Sequence, residues 1–417
     1  MHSLAHPTLR AAAALAALSA FAQPSRADIA LLGSTTISGT ATDKSGLSGT
    51  YTPGGTDVKA QLGSFGSGIA YTGSGNRYVA INDRGFSNGE ARYDDRFQVF
   101  DIVTDAGAKT VTPTLLATIL LHDEKGQQFK GFSGDFDTAH PAASMRLDPE
   151  GIRVSRDGNF FISDEYGPYI DEFDPSGKRI RTLDVPAKFA IAHPSADGDK
   201  EISGNTSGRV ANRGMEGLAI VPDGSKLYGI MQSPLLQDHA VTADGKKAGV
   251  NNRILSYDLK TNATREYLYP MDDKKNGVNE ILAVNDHQFL VIERDGKGAL
   301  DAGFKKIFLI DVAGATDISG VASLPASGAP DGVIPVHKSL FIDTLDPKFG
   351  LAKADFPEKI EGIAFGPDLA NGKHQLVVTS DNDLIGAQPN HFYVFTFDDS
   401  DLSIQPQKID KTFAPKL

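Results

Sequence analysis

The 417-residue sequence predicts an all-β protein, a β-propeller of four-stranded antiparallel blades numbering five or six. The prediction comes from its turn residues, a recurrent hairpin and the spacing between the copies of that hairpin. Gly (43) and Pro (22) are spread along the whole chain, a pattern of many short elements separated by turns. The stretch EGIRVSRDG at Glu150 returns as EGLAIVPDG at Glu216 and EGIAFGPD at Glu361, with weaker copies at Gly68 and Glu280. These starts lie 82, 66, 64 and 81 residues apart, periods that suit four-stranded blades carrying long loops.

Residues 1–27 read as a cleaved signal peptide: an apolar run from Ala11 to Ala22 follows Arg10, with small-residue cleavage sites at Ala20-Phe21-Ala22 and Ser25-Arg26-Ala27. The run is too short to span a bilayer, and no later stretch approaches the ~18 apolar residues of a membrane helix. Residues 28–417 are then one domain, periplasmic or secreted, with no membrane anchor.

Within that domain each copy reads as strand, tight turn, strand. Asp157-Gly158 and Asp223-Gly224 supply hairpin turns, and Asn371-Gly372 lies in a longer connection. The runs Ile152 to Val154, Phe160 to Ile162, Leu218 to Val221, Phe289 to Ile292 and Leu376 to Val378 are short and β-branched or aromatic, as strands are. Third strands follow as FQVFDIV, YIDEFD, RILSYDL, KIFLIDV and HFYVFTFD, and weaker fourth strands as RIRTLDV and TREYLYP. A two-sheet sandwich is the alternative, and it leaves five copies of one hairpin unexplained. Residues 28–62 and 399–417 are β-rich enough to form a sixth blade or to complete the fifth with a terminal strand.

The sequence contains no Cys, which excludes disulfides, thiolate metal sites and a catalytic thiol. Its net charge of −12 becomes about −14 once Arg10 and Arg26 leave with the signal, which disfavours nucleic acid and anionic membrane and suits divalent cations. In an antiparallel hairpin the start of strand one lies beside the end of strand two. Glu150 is thus expected near Asp164 and Glu165, Glu216 near Gln232, Glu280 near Glu293 and Arg294, Glu361 near Asp381 and Asp383, and Gly68 near Asp83 and Arg84. Since first strands line a propeller's channel, these ends converge on one mouth as a ring of carboxylates, incomplete at Gly68 and Gln232.

Such a ring repels itself unless something positive sits within it. Ca²⁺, which takes six to eight oxygens, is the expected cofactor, with Glu150, Asp164, Glu216, Glu280, Glu361 and Asp381 as candidate ligands. Arg84, Arg146, Arg213 and Arg294 are interleaved with the acids. Metal and guanidinium side by side suit a small anionic or ester substrate, with Arg84 and Arg294 stabilising negative charge and Glu165 or Glu293 activating water. Gly85-Phe86-Ser87-Asn88-Gly89 matches G-x-S-x-G but precedes loop and strand rather than the helix a nucleophile elbow requires. Tyr166 and Tyr169, beside Glu165, suit blade packing better than ligand stacking.

The stretches EGIRVSRDGNFFISDEYGPYIDEFDPSGK, NRGMEGLAIVPDGSKLYGIMQSPLLQD, NRILSYDL, VNEILAVNDHQFLVIERDG and KIEGIAF closely resemble the phytase-like β-propeller family, described as "esterase-like activity of phytase", from about Gly63 to Asp398. The resemblance implies an exported propeller with phosphoester or ester hydrolase activity. It carries over no catalytic residues, so the ring rests on the residue pattern. Two other functions fit the same pattern: a non-catalytic binding propeller and a Ca²⁺-dependent lactonase.

Overall fold

The computed structural model describes residues 29–49, 59–140 and 144–413; the expected signal segment lies outside them. Twenty strands form five four-stranded antiparallel sheets. The first strand, β1 (Ala30–Ile37), belongs to the last sheet. Blade I is β2 (Gly68–Tyr71), β3 (Arg77–Ile81), β4 (Arg96–Asp105) and β5 (Thr110–Leu120). Blade II is β6 (Pro149–Val154), β7 (Phe160–Asp164), β8 (Tyr169–Phe173) and β9 (Arg179–Leu183). Blade III is β10 (Met215–Ile220), β11 (Lys226–Met231), β12 (Asn251–Asp258) and β13 (Thr264–Pro270). Blade IV is β14 (Gly277–Ala283), β15 (Gln288–Arg294), β16 (Lys305–Asp311) and β17 (His337–Asp343). Blade V is β18 (Lys359–Phe365), β19 (His374–Asp381) and β20 (Asn390–Phe397), with β1 as its outer strand, paired from Ala30↔Thr396 to Ile37↔Asn390. The fold is therefore a five-bladed propeller, and the amino-terminal residues complete the fifth blade instead of making a sixth.

Each blade has two apolar faces, and each face packs on its neighbour, so the core is divided into inter-blade layers. Val79, Phe97 and Val99 of blade I meet Ile152, Phe160 and Ile162 of blade II. Phe161 and Ile170 meet Leu218 and Leu255, and Tyr228 and Ile254 meet Ile281 and Phe289. Leu290 and Ile307 meet Ile363 and Leu376, and Val377 and Phe392 close the circle on Ile69 and Phe100. Sheets buried on both faces need continuous apolar runs, and β10, β19 and β20 are buried almost end to end.

The inner strands β2, β6, β10, β14 and β18 pack against one another in ring order. Here the Glu-Gly repeat finds its reason. A Cβ on Gly217 would lie 2.7 Å from the Cα of Glu280, one on Gly68 2.4 Å from the carbonyl oxygen of Glu150, and one on Gly362 3.0 Å from that of Gly66. Glycine is what lets adjacent inner backbones touch. The residue before it is bulged: strand register shifts between Pro149 and Ile152, Met215 and Gly217, Val278 and Glu280, and Ile360 and Ile363. β-Bulges re-aim side chains, and in blades II, III, IV and V the residues at this position are Glu150, Glu216, Asn279 and Glu361.

Backbone alignment thus differs from the sequence pairing in two places. Glu280 occupies the glycine position of blade IV, with Asn279 in the glutamate position, and Gly68 aligns with the glycines, leaving Ser67 as the counterpart of the glutamates.

The carboxy-terminal segment adds no strand among the described residues and runs as a strap across the face opposite the Glu-Gly ends. Gln405 N–H donates to Val284 O (2.9 Å), Lys408 N–H to Pro222 O (2.7 Å) and Asp410 N–H to Arg156 O (2.8 Å), touching the first hairpin turns of blades IV, III and II in succession. Phe413 then inserts between blades I and II against Phe97 and Phe160.

Gly217→Val is expected to cost about 3 kcal/mol or more in urea unfolding, because the new atoms meet backbone that cannot yield, whereas Gly320→Val, with nothing within 4 Å, stays within about 0.5 kcal/mol.

Candidate functional site

The bulges turn Glu150, Glu216 and Glu361 into the channel mouth, where the ends of the second strands bring further acids. Side-chain oxygens of Glu150, Glu165 and Glu216 lie within 4.8 Å of one another; so do those of Asp83, Asp148 and Glu150, and those of Asp83, Asp381 and Asp383. The result is a crescent running Asp383–Asp381–Asp83–Asp148–Glu150–Glu165–Glu216, with Glu361 beside it. Seven of these eight residues are buried, and Asp383 is half-buried.

Cations serve this crescent unevenly. Lys359 binds Asp381 (3.0 Å) and Asp383 and lies 3.7 Å from Asp83. Arg84 binds Asp148 and lies 3.7 Å from Glu165, and Arg294 binds Glu361. Among the described residues no basic side chain comes within 4.0 Å of the Glu150 or Glu216 carboxylate. Glu216 Oε1 accepts from Gln232 Nε2 (2.9 Å) and Asn279 Nδ2 (2.6 Å), but Glu216 Oε2 and Asp148 Oδ1 are buried with no donor.

Titration follows the same division. Burial, then the charges of Glu216, Asp83, Asp148 and Glu165, pushes Glu150 well above the usual carboxylate range. Burial, then Glu165 and Glu361, does the same to Glu216. Burial raises Asp83 and Glu361 to about 7 each, against the pull of Lys359. Asp381 moves the other way: burial raises it, but Lys359 and the Ser64 hydroxyl outweigh burial and hold it below the normal value. The deficit of positive charge is concentrated at Glu150 and Glu216.

Several expected ring members have other partners. Glu280, one residue out of register, ion-pairs with Arg153 (2.8 Å) and accepts from Leu218 N–H and Ile281 N–H. Arg153 in turn donates to Ile69 O and Ile281 O, so the pair ties blades I, II, III and IV together within the channel. Glu293 faces the interface of blades III and IV, where Tyr269 OH, Lys338 Nζ, Asp272 N–H and Asn276 Nδ2 saturate it. Asp164 caps its own turn, accepting from Asp148 N–H and Tyr166 N–H. Asp381 is neutralised by Lys359.

Ser87 is exposed on a short 3₁₀ turn. Tyr166 is a packing residue whose hydroxyl donates to Gly131 O (2.8 Å) and whose ring lies under Arg146. Glu165, Arg84, Arg294, Glu150, Glu216 and Glu361 do share the mouth. The sequence reading overlooked Lys359 and Asp148 as members, although each stands two residues before a bulged glutamate, a spacing that places strand residues on one face.

A family model described as phytase-like, "Esterase-like activity of phytase", matches residues 60–384. The chain belongs to the phytase-like family. An uncharacterized secreted protein of Arthroderma benhamiae is 26% identical to this phytase-like chain over 428 residues, covering 78% of it and 83% of the relative. Among solved structures, the calcium-binding protein regucalcin from Agrobacterium tumefaciens aligns over 84% of the phytase-like chain and 95% of its own length at 11% identity, TM-score 0.38. A luciferin-regenerating enzyme aligns over 83% and 97% at 13% identity, TM-score 0.33. No helix among the described residues is long and apolar enough to cross a membrane.

Carboxyls whose folded pKa exceeds the unfolded value make the folded state bind more protons, so stability is lost as pH rises from the unfolded values near 4 through about 7. In chelator the phytase-like chain should melt several degrees lower at pH 8 than at pH 5. Glu150→Gln should narrow that gap, which scanning calorimetry of both proteins measures.

Proposed function

We propose that the protein is an exported hydrolase of phosphoesters or esters whose channel mouth binds Ca²⁺ at Glu150, Glu165 and Glu216. The observation that carries this reading is the buried carboxylate trio with a donorless oxygen, Glu216 Oε2, and, among the described residues, no basic side chain on Glu150 or Glu216. The donor set fits the ion: all ligands are oxygens, and oxygens that share one Ca²⁺ at about 2.4 Å lie no more than about 4.8 Å apart. Export is supported by the amino-terminal signal pattern and by a relative described as secreted.

When bound, such an ion supplies Lewis acidity and a coordinated water of lowered pKa. The chain's own residues supply the rest. Arg84 and Arg294 stand on either side of the trio, held by Asp148 and Glu361, and offer fixed positive charge to an oxyanion developing between them. Glu165 Oε1 is pinned by Gly214 N–H at 2.9 Å, which orients the carboxylate to accept a proton from attacking water. A cleft of about 650 Å³ adjoins the crescent at Arg84 and is lined by Arg146, Tyr166 and Asn212 together with the acids Glu90, Asp197, Asp199 and Glu201.

Purified protein should turn over p-nitrophenyl phosphate, phytate, a p-nitrophenyl ester or a lactone, lose that turnover in EDTA and regain it with Ca²⁺. Glu165→Gln should lower kcat by about 10²-fold or more with the fold intact. Inactivity of folded, Ca²⁺-supplied protein on all four substrates would instead favour a binding propeller.

A further inference from the structure

The three oxygen clusters in the mouth form a chain in which neighbours share a residue, Asp83 at one link and Glu150 at the other. Glu150 belongs both to the set with Glu165 and Glu216 and to the set with Asp83 and Asp148. On each side of Glu150 two carboxyls face each other with oxygens within 4.8 Å, Glu165 with Glu216 and Asp83 with Asp148. Each pair contains a buried oxygen without a donor, Glu216 Oε2 in one and Asp148 Oδ1 in the other. Facing acceptors are stable only with a proton or a cation between them. The third cluster, Asp83 with Asp381 and Asp383, differs because Lys359 already lies on all three.

We propose that the mouth binds two divalent cations, one on the Glu165–Glu216 pair and one on the Asp83–Asp148 pair, with the Glu150 carboxylate bridging them. The inference rests on the metal-dependent reading above and adds the second ion and the bridge. Charge supports the number. With every group ionised, eight carboxylates against Lys359, Arg84 and Arg294 leave five negative charges; one divalent ion reduces the excess to three and two reduce it to one. Arg84 stays on Asp148 and Lys359 lies 3.7 Å from Asp83, so both bases compete at the second site and the Asp83–Asp148 ion is the weaker one. A dinuclear centre would offer one positive charge to the attacking oxygen and one to the leaving oxygen, the arrangement suited to in-line displacement at a phosphoester. Within the proposed reaction class the inference favours phosphoesters, without excluding carboxylic esters.

The test is stoichiometry. Chelator-stripped full chain is titrated with CaCl₂ at pH 7.5 by isothermal calorimetry, and bound ions are counted by native mass spectrometry. Tb³⁺ luminescence sensitised by tyrosine gives an independent readout, since the chain has no Trp. Two ions per chain are expected, with Glu150→Gln weakening both at least ten-fold, Glu216→Gln removing the tighter and Asp83→Asn the weaker. A single ion in the wild type, retained in Asp83→Asn, overturns the dinuclear proposal and leaves the one-metal reading standing. No bound ion at millimolar Ca²⁺ overturns both. The wild-type count decides the matter even if a variant fails to fold.

Discussion

Backbone crowding at the channel governs this molecule. Five inner strands meet around one axis so closely that a methyl group at Gly68, Gly151, Gly217 or Gly362 would strike the neighbouring strand. In blades II, III and V a bulge accompanies this contact and swings the preceding side chain into the mouth. In those three blades packing and chemistry are set by one dipeptide. Glycine joins the blades, and glutamate, having nowhere else to point, joins the acids of the other blades.

The cost of that convergence is electrostatic, and the protein meets it differently on its two sides. At Asp381 and Asp383 a lysine was built in, and one carboxyl there sits below its ordinary pKa. At Glu150 and Glu216 no base stands among the described residues, and both are driven upward. Blade IV departs from the pattern altogether. Asn279 replaces the glutamate and bridges Glu216 and Glu361, while Glu280 sits where its neighbours have glycine and is drawn to Arg153. A neutral amide in one blade keeps the crescent from closing into a full circle of like charges.

Much of the fold was legible because its signals are local. Asp-Gly turns, short β-branched runs and regular spacing gave the inner three strands of every blade. Outer strands were less legible: β5 and β17 were not read, β17 being mixed in polarity and largely open to solvent after a long loop, and β1 was anticipated only as one of two uses of the terminal segments, because it pairs with a strand over 350 residues away. At the site, convergence of Glu150, Glu216 and Glu361 followed from the repeat, but the place of Glu280 did not. Matching identical letters paired its glutamate with the others, whereas the backbone aligns on the glycine position and a bulge shifts the register by one. Glu293 misled for a similar reason, since the end of a strand near the mouth presents alternate side chains to the neighbouring blade. Lys359 pairs with Asp381 across the β18–β19 hairpin, so it was open to the same pairing rule; only its approach to Asp83 crosses between blades, which sequence order does not reveal.

The ring is fastened by its first strand rather than its last. Because Ala30 pairs with Thr396 and the strap beyond Leu402 crosses the other blades, neither end of the polypeptide can dock until nearly all of it is present. A nascent chain therefore holds an unsatisfied strand edge until late in its emergence, and cooperative closure waits for completion. That order of events leaves both ends of the propeller to be locked in one step.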